Sequence, residues 1–392
     1  MADAVGRGPP YNEAMSVIRF HDSLDTIDAA AWDALAGHAN PFASHAFLAG
    51  LERHGCIRDE WGWRPHHLTL HDDDGRLVAA VPLYLKYNSH GEYVFDWGWA
   101  DAWERAGGAY YPKLLCAVPY SPVPGPRLLA RDAAGRRQLV AALAEHAREC
   151  GLSSVHVDFL PDDELDAFSS PWLERFDWQY HWHNHGYRDF DDFLAALKHK
   201  KRKNIRAERK QVRAAGIDCR MQRGDTLRPD EWEAVHALYR HTFERKGNHA
   251  TLTLAFLRHL ADTLGDGLQV GLARSRDGAI VAMALFLCDR RTLYGRYWGA
   301  WKPLPGLHFE LCYYLGIAYA IGRGLARFLP GAQGRHKLAR GFVPVRTHSR
   351  HYLVHAGFRH AVAAALREEK VMLETAGRHM QAHSPYHDPA HA

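Results

Sequence analysis

Residues 66–86 read HHLTLHDDDGRLVAAVPLYLK, and residues 268–288 read LQVGLARSRDGAIVAMALFLC. In each stretch a short strand-like run meets an Asp-Gly turn. A nine-residue apolar run follows, Leu77–Leu85 in the first and Ile280–Cys288 in the second. Asp-Gly between apolar runs is a hairpin signal, because the turn needs backbone angles that these residues adopt at low cost. A polar turn comes next, then an aromatic segment expected as a strand: EYVFDWGWA at 92–100 and LYGRYWGA at 293–300. Each copy closes on a helix that stops at a Gly-Leu pair and enters a strand, ARECGLSSVHVDF at 147–159 and AIGRGLARFLPGA at 320–332. The period is a whole domain, so the chain reads as two copies of one α/β unit rather than a solenoid. The first copy is longer, and the Pro-rich stretch 101–130 accounts for the excess.

Length and composition agree with two units. A chain of 392 residues has room for two domains with a core each. The formal charge of +4 is mild, and the 28 histidines would raise it on acidification. Six cysteines lie far apart with no CxxC, which fits reduced thiols in a cytoplasmic protein better than a disulfide framework. The first fifteen residues lack a basic segment followed by an apolar one, so no signal peptide is expected. The longest apolar runs fall far short of the ~20 residues that a membrane-spanning helix needs.

The expected organisation is a flexible tail (1–15), an N-terminal unit (16–180), a C-terminal unit (181–370) and a disordered His-rich tail (371–392). A long basic helix, placed at 189–212 and with its flanking charges at 190–213, opens the C-terminal unit. The element order α-α-β-β-β-α-β predicts an α+β fold, with mixed sheets and helices on both faces, rather than a doubly wound parallel sheet.

That order is the order of GNAT acyltransferases, and two such units in tandem resemble Fem-type peptidyltransferases. The likeness sharpens at NPFASHAFL (40–48), GEYVFDWGWADAWERAGGAYYPKL (91–114), FDDFLAALKHKKRKNIRAER (190–209), GRYWGA (295–300), LHFELCYY (307–314) and GAQGRHKLARGF (331–342). These strings resemble a bacterial Fem-like GNAT family labelled peptidoglycan biosynthesis/recognition, over nearly the whole chain. The resemblance implies N-acyl transfer, of an acyl or aminoacyl group, to an amine of a cell-wall precursor or related small substrate. It implies no tightly bound cofactor, and an acyl donor that is either acyl-CoA or aminoacyl-tRNA. The other readings are a CoA-dependent N-acetyltransferase of a small amine and a non-catalytic nucleic-acid or cell-wall binding protein. Fold alone does not choose among them.

Three groups of residues could carry chemistry. Lys198, Arg202, Arg206, Arg209 and Arg213 fall on one stripe of the basic helix, widened by Lys200, Lys201, Lys203 and Lys210, and Glu208 is the only acid between Lys198 and Arg213. Such a stripe is either a solvated face or a phosphate-binding one, for a nucleotide- or lipid-linked precursor, CoA or tRNA. Lys201, Arg202, Arg206 and Arg209 are the expected contacts. The second group is Leu307–Tyr314 with Gly331–Phe342. In ordinary GNAT enzymes a Gly-rich loop there holds the CoA pyrophosphate, but this chain has KPLPGLHFE at 302–310, which is not Gly-rich. The Lys337–Phe342 stretch resembles the Lys-x-x-Phe element of Fem-type enzymes, whose lysine binds phosphate or stabilises charge at the reacting carbonyl.

Acyl transfer needs a base for the amine and a donor facing the oxyanion. His308, Glu310 and His336 are the candidate bases, and Lys337 the candidate for charge stabilisation. Gln333 and Arg340 are expected to bind substrate. In the third group, Tyr297 and Trp298 are the aromatic residues best placed to wall an acyl chain, against a default of core packing. His181, His183 and His185 share a strand face, but no metal-binding motif is present and no metal is expected.

Overall fold

The computed structural model describes residues 17–37, 40–332 and 334–388. The N-terminal tail (1–15) and Gln333 therefore lie outside the described residues. The first half contributes strands β1 (Val17–His21), β2 (Trp63–Pro65), β3 (His67–His71), β4 (Leu77–Val81), β5 (Leu83–Lys86), β6 (Lys113–Cys116), β7 (Leu129–Ala130), β8 (Ser154–Leu160) and β9 (Leu173–His183). The second contributes β10 (Asp218–Arg223), β11 (Leu268–Arg274), β12 (Ile280–Cys288), β13 (Thr292–Ala300), β14 (Arg327–Leu329) and β15 (Val343–Leu353). Among the described residues they form a four-stranded sheet, β1-β3-β4-β7, and an eleven-stranded sheet, β10-β11-β12-β13-β14-β9-β15-β8-β6-β5-β2.

The repeat is visible in the hairpins and in the helix stops. β3 with β4 and β11 with β12 are antiparallel pairs closed by the two Asp-Gly turns. At the Gly-Leu pairs, Gly151 (φ 63°) and Gly324 (φ 64°) take the left-handed conformation that costs glycine nothing. The next backbone N–H groups, of Leu152 and Leu325, then reach back to Ala147 O and Ala320 O at 2.9 and 2.8 Å. This closes both helices in the same way. Each half also has one parallel pair, β6 with β8 and β13 with β14, joined through a crossover helix.

The first copy departs from the second at Pro82. Proline has no N–H for the ladder, and its strand divides there, β4 staying with β3 while β5 joins β2 and β6 in the large sheet. The aromatic segment 92–100 is also not the expected strand. It runs through a turn into the helix Trp97–Arg105, and β6 takes the strand position instead.

The reason lies underneath. Lys113, with 0% exposure, reaches Glu92 at 2.9 Å and Asp96 at 2.5 Å, both 2% exposed. Tyr110 Oη and Ser89 Oγ donate to Asp96 at 2.6 and 2.5 Å. Burial works against charge here. Lys113 and His156 nevertheless outweigh it at Asp96, whose carboxyl is held below the usual range, while the two carboxylates hold the Lys113 ammonium above its own. Glu92 is pushed up to about 7 by burial.

Three further expectations are corrected. The basic helix is not continuous: it is Phe190–Ala196 followed by His199–Ala214. Leu197 pairs as an isolated bridge with Tyr386, and Lys198 N–H donates to Pro385 O at 2.9 Å, so a distant segment interrupts it. Residues 371–388 are not a disordered tail. The helix Ala356–Ala382 buries Phe358, Val362 and Leu366, one per turn, and Tyr386 beyond it is 2% exposed. The boundary at 180/181 falls inside β9, and β15 lies between β8 and β9, antiparallel to both. The two units therefore share one sheet.

Removing Lys113 should leave buried carboxylates without a cation. Lys113→Met is expected to lower stability by about 3–5 kcal/mol in denaturant titration. Adding Glu92→Gln and Asp96→Asn should recover part of that loss.

Candidate functional site

β13 and β14 run parallel over only three residue pairs, Thr292 with Arg327 to Tyr294 with Leu329, and then part. β13 carries a bulge there. Leu285 pairs Tyr297 and Phe286 pairs Gly295, which leaves Arg296 as the extra residue. The chain leaving β14 turns at Gly331 and enters a 3-10 helix, Arg335–Arg340, bracketed by Gly334 (φ 112°) and Gly341 (φ 92°). Three residues per turn put Lys337 and Arg340 on its inner side, 2% and 9% exposed, and Arg335 on the outer side. The 3-10 turn lies just beyond the carboxyl ends of these two parallel strands, where ligand sites of open α/β sheets concentrate.

Lys337 Nζ donates to Gly331 O at 2.6 Å and Ala332 O at 3.1 Å. Among the described residues no carboxylate lies within ion-pair distance of it, and burial lowers its pKa to about 8. His336 Nε2 and Tyr313 Oη share a hydrogen bond of 2.8 Å, and the His336 ring lies 6.2 Å from His308 and 5.7 Å from Phe309. His308 sits edge-on to Trp298 at 5.2 Å. Burial, with His336, Arg340 and Lys337 close by, depresses His308 to about 4, and burial also lowers His336. Both imidazoles are therefore uncharged at neutral pH. Tyr313 reaches His336 from a π turn, Glu310–Tyr314, in the helix that begins at Leu307. Such turns are frequent at functional sites.

Other expected site residues are held by partners. Glu310, 7% exposed, receives a forked pair from Arg209: Nε at 3.1 Å to Oε2 and Nη2 at 3.0 Å to Oε1. A carboxylate bound this way joins the basic helix to the π turn and is a poor base. Arg340 donates to Glu208 at 2.7 Å, to Tyr314 Oη at 2.9 Å and to His336 O at 2.9 Å, with its guanidinium over Phe309. Glu208, the lone acid of the stripe, is thus the anchor of the 3-10 turn. Arg340 is a brace rather than an exposed substrate contact.

The basic stripe divides in the same way. Arg206 is exposed and reaches Asp191 at 3.4 Å, and Arg202 leans on Ala195 O at 3.5 Å. Lys201, with Lys198 and Arg335, lines a cavity of about 950 Å³ between the basic helix, the 3-10 turn and the C-terminal helix. Tyr297 and Trp298, neighbours on β13, point to opposite faces. Tyr297 packs on Tyr239 at 5.1 Å and donates to Tyr120 O at 3.2 Å, so only Trp298 reaches the His308 group.

A second cavity, of about 280 Å³, opens between the halves over β9 and β15, from Ala332 to the segment Tyr93–Phe95. Asp177 lies in it. No sequence signal singled out Asp177, since its strand alternates as any half-buried strand does.

The architecture is two α/β repeats that share one mixed sheet. The chain matches the FemAB-like family model, described as peptidoglycan biosynthesis/recognition, over residues 23–388, and it belongs to that family. No sequence among curated proteins matches it. Among solved structures it is similar to L-PGS from Bacillus licheniformis, with TM-score 0.52 and 12% identity over 83% of this chain and 91% of that one. It is also similar to the C-terminal domain of a putative lysylphosphatidylglycerol synthetase from Agrobacterium fabrum, with TM-score 0.51 and 11% identity over 88% and 96%. A conserved protein of unknown function from Bacteroides thetaiotaomicron gives TM-score 0.51 and 14% identity over 86% and 100%. At these identities the likeness is one of fold. No described helix is long and apolar enough to cross a membrane.

If the Arg209–Glu310 pair joins the basic helix to the π turn, Glu310→Ala should destabilise the protein by about 3 kcal/mol, because Arg209 is left uncompensated. A double-mutant cycle with Arg209→Met should return a coupling of about 1–3 kcal/mol. Additive effects would remove the pair from that role.

Proposed function

We propose that the protein is an N-acyltransferase that moves an acyl or aminoacyl group onto the amine of a cell-wall precursor or a related small substrate. The observation that carries this reading is Lys337, a buried ammonium in the 3-10 turn just beyond the ends of β13 and β14. It is held by two carbonyl oxygens and by no carboxylate among the described residues. An ammonium without a carboxylate partner is suited to stabilise negative charge that develops only during reaction.

In this reading the donor carbonyl lies beside Lys337 and an amine attacks it. The C–N bond forms first, and collapse of the tetrahedral intermediate then breaks the C–O or C–S bond to the donor. The amine proton passes to His336 or His308, both uncharged at neutral pH, and from there to the leaving group. The free N–H of Lys337 meets the oxyanion of the tetrahedral intermediate.

For the donor, Gly306 bears on the choice. A Cβ there would lie 3.0 Å from Glu208 O, so this glycine serves close packing against the basic helix. That supports aminoacyl-tRNA over acyl-CoA, because the one glycine of the 302–310 turn is committed to a helix contact. Lys198, Lys201 and Arg335 are the phosphate contacts in this reading, a narrower set than the whole stripe.

Lys337→Ala should abolish acyl transfer while leaving the thermal unfolding transition in place; unchanged turnover would overturn the assignment. The sign of the pH effect follows from the charge required. Lys337 is cationic below about 8 and neutral above, so the rate should fall as pH rises through about 8. Lys337→Arg, if active, should lose that alkaline limb. Lys201→Ala with Arg335→Ala should weaken binding of charged tRNA and flatten its salt dependence. Each lost phosphate contact should remove about 0.7–0.9 from the logarithmic slope. An unaltered slope would exclude these residues.

A further inference from the structure

The helix Ala356–Ala382 has two apolar stripes, and only one of them is covered. Phe358, Val362, Leu366 and Met380 turn inward and are buried. Val371, Met372, Thr375, Ala376 and His379 recur at helical spacing on a second stripe, which forms one bank of the cavity of about 950 Å³. Val371 and Met372 are 64% and 66% exposed, the most exposed large apolar side chains among the described residues. The acid nearest this stripe is Glu368, one turn upstream of Met372 and outside the cavity lining. A surface helix ordinarily turns charge toward water on the side away from its core. Apolar side chains gathered there instead mark an interaction surface.

The opposite bank is cationic. Lys198 and Lys201, at the start of the basic helix, and Arg335, on the outer side of the 3-10 turn, line it. Lys198 Nζ donates to Ser384 O at 2.8 Å, which ties the two banks together at their lower end. Among the described residues none of these three cations is in an ion pair, and no carboxylate lines the cavity. The trough therefore joins uncompensated positive charge on one side to exposed apolar surface on the other.

Charge complementarity selects the occupant. A second copy of this chain, docked about a two-fold axis, would set the same face against itself and bring unpaired cations close to their own copies. A nucleic acid would meet the cations through its phosphates but would leave Val371 and Met372 against a charged backbone. A bilayer with anionic headgroups satisfies both banks. Its phosphates lie at the level of the cations, and its acyl boundary lies just below, where the apolar face of an interfacial helix is buried.

We propose that this face docks on a membrane surface that carries anionic phospholipid. Val371 and Met372 enter the acyl boundary, and Lys198, Lys201 and Arg335 meet the lipid phosphates. The helix lies along the surface rather than crossing it, since no described helix is long and apolar enough to span a bilayer. The proposal goes beyond acyl transfer and does not rest on it. Lys201 and Arg335 are also the phosphate contacts proposed for charged tRNA, so membrane and tRNA compete for this bank, whereas the apolar bank serves the membrane alone.

The test uses the full chain without donor or acceptor and measures the fraction that sediments with vesicles. Vesicles of phosphatidylcholine mixed with phosphatidylglycerol should bind the protein, and vesicles of phosphatidylcholine alone should not. Val371→Ser with Met372→Ser, at exposed positions, should weaken binding to the anionic vesicles by about tenfold or more through lost apolar burial. Lys201→Ala with Arg335→Ala should weaken it by about fivefold for each charge removed. The serine variant should bind charged tRNA as the unaltered protein does. Absence of binding to anionic vesicles by the unaltered protein would overturn the proposal without recourse to any variant, as would equal binding to both vesicle types. So would a serine variant that binds anionic vesicles undiminished, because the exposed cations of the basic helix would then account for the attraction. A serine variant that loses tRNA along with the vesicles would also overturn it and assign the face to nucleic acid. If no donor yields product while the vesicle results hold, the acyltransferase reading fails and the docking face stands.

Discussion

The position of one strand governs the molecule. β15 comes from the end of the second half, yet it lies between β8 and β9 and is antiparallel to both. Neither half closes its sheet without the other, so the two repeats are joined by backbone hydrogen bonds rather than by a side-chain interface alone. The 3-10 turn that carries Lys337 leads directly into β15, and Thr347 and Ser349 on β15 floor the cleft. The seating of one strand thus sets both the 3-10 turn and the cleft. Backbone pairing resists small displacements better than loop packing does, which suits the proposed transfer, where donor and acceptor must be held in register.

What the sequence made legible was local. Asp-Gly turns, Gly-Leu helix stops and apolar alternation are each decided within a few residues, and they returned the strands of the hairpins and the mixed sheet. The misread segments were decided at a distance. EYVFDWGWA alternates as a strand should, but Glu92 and Asp96 turn inward to Lys113, some twenty residues on, and the chain folds over them instead. The basic helix has a continuous helical pattern, yet Leu197 bridges Tyr386 at the opposite end of the chain. The C-terminal helix did announce itself, through Phe358, Val362 and Leu366 at helical spacing, but the histidines and prolines beyond it drew the reading toward disorder.

The site divides along the same line. Residue types were legible, and their partners were not. A stripe of cations looks uniform in sequence, whereas in the fold Arg209 belongs to Glu310, Arg206 leans toward Asp191, and Lys201 faces a cavity with Arg335. Glu208 looked like a lone exception to a basic helix and is instead what holds Arg340 in place. A carboxylate such as Asp177 carries no pattern at all. Its setting comes from strand register and from Tyr93, Phe95 and Phe159 of the same half, which line the cavity with it.

Two buried lysines show how differently one residue type can be employed in the two halves. Lys113 meets two carboxylates, which hold it charged and sealed, and the segment 89–111 folds over them as a lid of the core. Lys337 meets only carbonyl oxygens, so its charge is neither cancelled nor fixed, and burial brings its titration down to about 8. A sealed ion pair has nothing left to give an incoming oxyanion, because its field already ends on its partners. A carbonyl-held ammonium keeps that field available at the cost of a lower pKa. The two halves differ in this respect: the first ends its buried charge on carboxylates, and the second holds its own by carbonyl oxygens alone.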